Sequence, residues 1–403
     1  MTKVSRFTRR TLAAFVLASL SPGLAGGGGP PQTGKVEYQP LEQWSFFGDC
    51  VGARDPGPCR VRRAWSAPEL RARQAKAKAP IWTDGDELTF AYRGEADEVR
   101  ACCGVQLPMA HVAGTDLWVL TVRVPNLARA VVSAQFIPLR GGQPIGVVDE
   151  PFIWRGPRAE PPSKVAAPLL GQVFEQTLDS AALKAKRNVT VYLPPKHDSS
   201  RETPVVYLAD GQDTGELAQV IEPLILAGRI PAVMLVGANS SEGTPDNDVR
   251  AQEYLVGFKP GDERFKAHEK FFTQEVPAWA EAKFGAARSR EKRAVFGVSN
   301  GAALAIALGL KRPQEYGSVI AFSFGWAQNI VAPPRAGVSP RFYLEAGTLG
   351  TFETSFHKNT EAFAMSLARA GVEKVFRSRV GGHDFAVWQD EFPRALEWAF
   401  GRR

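Results

Sequence analysis

The feature that most constrains the fold of this chain is a series of short, nearly all-apolar runs in its second half. Residues 189–193, 204–209, 232–236, 293–296, 318–322 and 341–344 are β-type segments, and several have no polar face at all. A strand of that kind must be covered on both sides, as in a mainly parallel sheet sandwiched between helices. Helical patterns occupy the intervals, notably 265–284, 302–311, 358–370 and 385–400. The alternation predicts a three-layer α/β domain over 168–403. Ahead of it the rhythm differs. From Glu87 onward short alternating runs at 88–92, 98–101, 117–124 and 131–139 are separated by turn signals such as Asp84-Gly85 and Gly141-Gly142. They predict a small all-β, immunoglobulin-like sandwich over 67–160. A length of 403 residues accommodates both, and 44% hydrophobic with 23% charged residues excludes a disordered, collagen-like or coiled-coil chain.

Directly after the run 293–296 stands Gly297-Val298-Ser299-Asn300-Gly301, followed by the apolar helical stretch 302–311. A serine in a Gly-x-Ser-x-Gly turn between strand and helix is exposed above the strand ends, and Ser299 is the candidate nucleophile. Its hydroxyl needs a base to take the proton. Of five histidines, His111 lies in the sandwich, His197 in a polar loop, His268 in a charged helical pattern and His357 just before a helix. His383, in Gly381-Gly382-His383-Asp384 before the final helix, has the right chain order after the serine and is the candidate base. The carboxylate that orients it should follow the run 341–344, where Glu345 and Glu353 compete. Glu353 is preferred because its loop has the reach, and Asp384 is disfavoured by its adjacency to His383. Amide donors for a developing oxyanion are expected from Asn300, after the nucleophile, and from Gln212 in the turn 209–213. None of the cysteine spacings suits a zinc site, and no metal or organic cofactor is expected.

Basic residues number 49 against 42 acidic ones, a net charge of +7. Four of them, Lys3, Arg6, Arg9 and Arg10, stand in the first 25 residues, and removing that segment leaves 45 against 42, or +3. The excess therefore gives little ground for a nucleic-acid partner. Residues 1–25 have the basic start, short apolar run and small-residue end of an export signal, too short to span a bilayer. Thr8-Arg9-Arg10-Thr11-Leu12 resembles a twin-arginine signal, although such signals prefer Phe where Leu12 stands. The expected location is periplasmic or secreted, with no membrane anchor once the signal is removed. Residues 26–66 are expected to form a linker and a cysteine-containing segment, opened by the glycine run 26–29 and Pro30-Pro31. Cys50 and Cys59 bracket a turn-rich loop and are the favoured disulfide, while the adjacent Cys102 and Cys103 would bridge each other only with strain.

These motifs together resemble the enterochelin esterase family of α/β hydrolases, within a wider group containing S-formylglutathione hydrolases and mycolyltransferases. The resemblance rests on Asp84-Gly85-Asp86-Glu87-Leu88-Thr89-Phe90 and Gly114-Thr115-Asp116-Leu117-Trp118 in the sandwich. Later it rests on Leu208-Ala209-Asp210-Gly211-Gln212, Arg250 with Glu253-Tyr254, Gly297 to Gly301, Glu345-Ala346-Gly347-Thr348, and Gly381-Gly382-His383-Asp384 with Trp388. It implies Ser299 as nucleophile, His383 as base and Glu353 as acid in a serine esterase acting on a small-molecule ester such as a siderophore trilactone. Ala302 departs from the second glycine common after the family's motif. The alternatives are an acyl-carbohydrate esterase or acyltransferase using the sandwich as a positioning module, and a non-catalytic binding protein. An anionic substrate would call on Arg250, Lys259, Arg264 and Lys266, for which a solvated helix face is the competing reading. Trp326 is a candidate aromatic wall or a core residue.

Overall fold

The computed structural model describes residues 36–41, 48–52, 57–146, 151–241, 243–244, 247–349 and 353–401, without the side chains of Cys103 and of 353–355. The expected signal at 1–25 and the start of the expected linker lie outside them.

Strands β1 (Val36–Glu37) and β2 (Cys59–Arg60) come first, then helix α1 (Ala67–Ala77). Eight more strands follow: β3 (Ile81–Asp84), β4 (Glu87–Arg93), β5 (Glu98–Cys103), β6 (Ala110–Val112), β7 (Leu117–Arg123), β8 (Val131–Arg140), β9 (Gln143–Pro144) and β10 (Phe152–Arg155). They build two antiparallel sheets, one ordered β1-β6-β7-β4-β3 with β2 on β7, the other β10-β8-β5 with β9 on β8. Leu88, Phe90, Leu120 and Val122 of the first sheet meet Val99, Val132 and Phe136 of the second in one buried core. The period-2 alternation read from the sequence is what puts these residues on facing sides. β1 and β2 fall inside the expected linker and cysteine-containing segment 26–66; two-residue strands are too short to carry a periodic signal. Cys50 and Cys59 are bridged, as favoured.

The second part begins with a hairpin, β11 (Gln172–Ser180) and β12 (Ala185–Leu193). Then come β13 (Val205–Ala209), α2 (Thr214–Leu226), β14 (Met234–Ala238), α3 (Val249–Tyr254), α4 (Glu263–Lys270) and α5 (Val276–Phe284). The chain ends with β15 (Arg293–Val298), α6 (Asn300–Lys311), β16 (Ser318–Phe322), β17 (Arg341–Gly347), α7 (Glu353–Arg369), β18 (Lys374–Arg379) and α8 (Phe385–Phe400). One eight-stranded sheet runs β11-β12-β14-β13-β15-β16-β17-β18. It is antiparallel through β11, β12 and β14 and parallel from β14 to β18. Alternate residues of each central strand enter different layers. Tyr207, Val295 and Val319 pack under α3 to α7, whereas Val206, Ala294 and Ile320 pack under α2 and α8. β11 was not evident in the sequence because it is an edge strand whose Glu175, Thr177 and Asp179 face solvent. Among the described residues no helix is long and apolar enough to cross a membrane.

Candidate active site

Ser299 sits between β15 and α6 with φ 57° and ψ −124°. That is a strained backbone for a residue with a Cβ, of the kind kept where function demands it. The turn is held by the Ser299 N–H donating to the Phe322 carbonyl at 2.9 Å, and by the Ser299 carbonyl accepting from Ala302 and Ala303 at 3.0 and 3.2 Å. Gly297 and Gly301 are required by space. A Cβ at Gly297 would collide with the Gly301 carbonyl, and one at Gly301 would lie 2.9 Å from an Asp210 carboxylate oxygen. Asn300 is the first residue of α6, so its N–H is among the first-turn donors without an intrahelical acceptor.

The loop after β13 is fastened beneath this turn. Asp210 adopts φ 59°, donates its N–H to the Tyr254 hydroxyl at 3.1 Å, and accepts from Arg250 Nε and Nη2 at 2.6 Å each. Arg250 Nη2 also reaches the Val298 carbonyl at 3.4 Å. Burial works against the Arg250 charge, but Asp210 more than offsets it and holds the guanidinium above its usual range. Gln212 lies in the 3₁₀ turn Gly211–Asp213, and its side chain is tied to Ser240, donating to the hydroxyl at 3.0 Å and accepting from the amide at 3.2 Å.

His383 lies just before α8, its ring stacked on Phe356 (centroids 4.8 Å, planes 20° apart) and edge-on to Trp388 at 4.7 Å. The Trp388 indole donates to the Ser323 hydroxyl at 3.1 Å. Ser323 follows Phe322, whose carbonyl takes the Ser299 N–H, so consecutive residues at the end of β16 hold the serine turn and the wall of the histidine. Phe356, Ser323 and the pairing of Arg250 with Asp210 were not found from sequence. Trp388, at a fixed spacing after the histidine, and Asp210, in the turn after β13, left local signals.

Glu345 is fully buried on β17, opposite Phe322. Glu353 is the first residue of α7, and its side chain lies outside the described residues. Asp384 is engaged elsewhere: one carboxylate oxygen accepts from the Ser133 amide at 2.8 Å and the other from the Ala386 amide at 2.9 Å. Of the four cations considered for an anionic substrate, Arg250 is committed to Asp210, while Lys259, Arg264 and Lys266 are exposed. Trp326 is half-buried, donates to the Val256 carbonyl at 2.9 Å and packs edge-on to Phe258. Among the described residues no group of three or more His, Cys, Asp or Glu is placed to hold a metal ion.

A family model described as "Putative esterase" matches residues 180–399. By sequence the chain is similar to the uncharacterized protein YjcH of Bacillus subtilis (strain 168), with 23% identity over 194 residues, 47% of this chain and 78% of that protein. By structure it is similar to the enterochelin esterase of Shigella flexneri (TM-score 0.58, 18% identity), over 87% of this chain and 98% of that one. It is also similar to the ferric enterobactin esterase of Salmonella typhimurium (TM-score 0.59, 18% identity), over 86% and 96%. The common fold is an α/β hydrolase preceded by a β-rich region.

Proposed function

Since the chain belongs to the esterase family whose model spans residues 180–399 and is a carboxylic ester hydrolase, we propose that it works as a serine esterase through an acyl-enzyme. The observation that carries this reading is the strained turn of Ser299 at the N-terminus of α6, held by Phe322, whose neighbour Ser323 accepts from the Trp388 indole that packs against His383. In the proposed reaction Ser299 Oγ bonds to the ester carbonyl carbon while His383 takes its proton. Collapse of the tetrahedral intermediate breaks the carbon–oxygen bond to the alcohol, which leaves with that proton. Water then repeats the sequence on the acyl-serine and releases the acid. The amides of Asn300 and Gln212 hold the oxyanion, and Glu353 orients the imidazole. For the substrate we propose a siderophore trilactone of the enterobactin class. The likeness to enterochelin esterases over both parts of the chain supports this. Export through residues 1–25 is part of the same proposal, checked by N-terminal mass spectrometry of the mature protein.

A fluorophosphonate should label the wild type at Ser299, and Ser299→Ala should lose esterase turnover by about 10⁴-fold or more. Unchanged turnover in that variant would end the proposal. Glu353→Gln should lose far more activity than Glu345→Gln; the reverse order would move the acid to β17. Mass spectrometry of products from ferric and iron-free trilactones, beside feruloyl and p-nitrophenyl esters, decides the substrate.

A further inference from the structure

We infer that the β-sandwich is a positioning part of the active site, with Asp384 as the clip that seats the His383 loop on it. The inference rests on the reading of Ser299 and His383 as nucleophile and base. His383 stands between two residues that are both fixed to the sandwich. On one side, Gly382 lies so close to the Gly104 backbone that a Cβ there would collide with the Gly104 carbonyl. On the other, the buried Asp384 carboxylate accepts from the Ser133 amide of β8 at 2.8 Å and, through its second oxygen, from the Ala386 amide that opens α8 at 2.9 Å. The preceding residues continue the attachment: the Val131 amide of the sandwich donates to the Val380 carbonyl at 2.9 Å. The Leu349 amide donates to the Gly381 carbonyl at 2.9 Å, and the Leu349 side chain is buried in the sandwich core.

A general base on a loop is only as good as its placement, and a displacement of about 1 Å can lower a rate about 100-fold. This loop leaves the sheet at its β18 edge, where no further strand among the described residues supports it. The support comes instead from Gly104, Val131 and Ser133 of the other part of the chain. Both Asp384 oxygens being engaged by backbone amides also separates its role from that of the triad acid.

The test uses full-length protein and first asks whether a fluorophosphonate labels Ser299 in the wild type. Absence of labelling would fail the esterase reading itself and this inference with it. In Asp384→Ser the shorter side chain still caps α8 but does not reach Ser133. Its kcat is expected to fall about 10- to 100-fold with KM within about twofold. Amide exchange should quicken across 380–384 and stay unchanged in β15. Asp384→Asn, which retains one acceptor oxygen, should recover part of kcat. Should Asp384→Ser fold poorly, Gly382→Ala pushes the loop off Gly104 with both carboxylate bonds left chemically possible, and the same fall in kcat is expected. Labelling of Ser299 together with wild-type kcat in a folded Asp384→Ser or Gly382→Ala protein would overturn the role of the sandwich alone.

Discussion

Asp213 lies one residue beyond the proposed oxyanion donor Gln212, and burial, reinforced by the Asp210 and Glu216 charges and opposed by Arg250, pushes its carboxyl up to about 8. It is therefore mostly protonated near pH 7, which would spare an oxyanion held at the proposed Gln212 amide a nearby negative charge. A carboxyl that ionises later in the folded than in the unfolded chain contributes stability below its ordinary value, and that contribution is lost as pH rises to the folded value. Asp213→Asn, which keeps the size of the side chain without its ionisation, should therefore melt like the wild type below pH 4 and progressively higher between pH 4 and 8, with a constant gap above 8. Melts across that range check it. The Asp210–Arg250 pair gives a second expectation. Arg250→Met strands a buried carboxylate and should cost about 3–5 kcal/mol in urea denaturation, whereas adding Asp210→Asn should recover much of that stability without recovering activity. The serine was legible because its motif is local: five consecutive residues, a strand before and a helix after. Asp210 with Arg250, and Phe356 on His383, are contacts between residues far apart in sequence, and no local pattern encodes them.

At the scale of elements, β2 pairs with β7 over only two residues, Cys59 with Arg123 and Arg60 with Val122. So short a strand needs help to stay in register. The buried Arg60 guanidinium, bonded to Asp49 at 2.6 Å, and the bridge between Cys50 and Cys59 both supply it. Closing a loop of this length should contribute about 2–3 kcal/mol, so Cys50→Ser with Cys59→Ser should lower the stability of the sandwich by that amount. Esterase kcat should be unchanged at temperatures where the variant is folded, and thermal melts followed by activity assays test both halves. The central strands of the eight-stranded sheet were readable because burial on two faces forces an apolar run. β11 and β1 were not, the one because an edge strand is half polar and the other because two residues make no period.

Across the whole molecule the two parts are joined by charge as well as by the histidine loop. Arg155 donates to Asp390 of α8 at 2.6 Å, and Glu160 accepts from Arg377 at 2.7 Å and Arg379 at 2.9 Å. Glu160 also pairs with Arg394 at 3.0 Å. Because Asp390 is buried, its contact with Arg155 is screened less than a surface pair. The wild type is expected to unfold in one calorimetric transition, and Arg155→Ala with Glu160→Ala to separate it into two. A single unsplit transition in that variant would show that the pairs do not couple the parts. The seating of Gly382 and Asp384 against Gly104 and Ser133 also bears on the order in which the molecule is made. A ribosome delivers the sandwich first, the serine turn later and the histidine loop after both, and domains tend to fold as they emerge. The surface that receives the loop thus stands before the loop exists, and the proposed base would be seated only after the proposed nucleophile is in place.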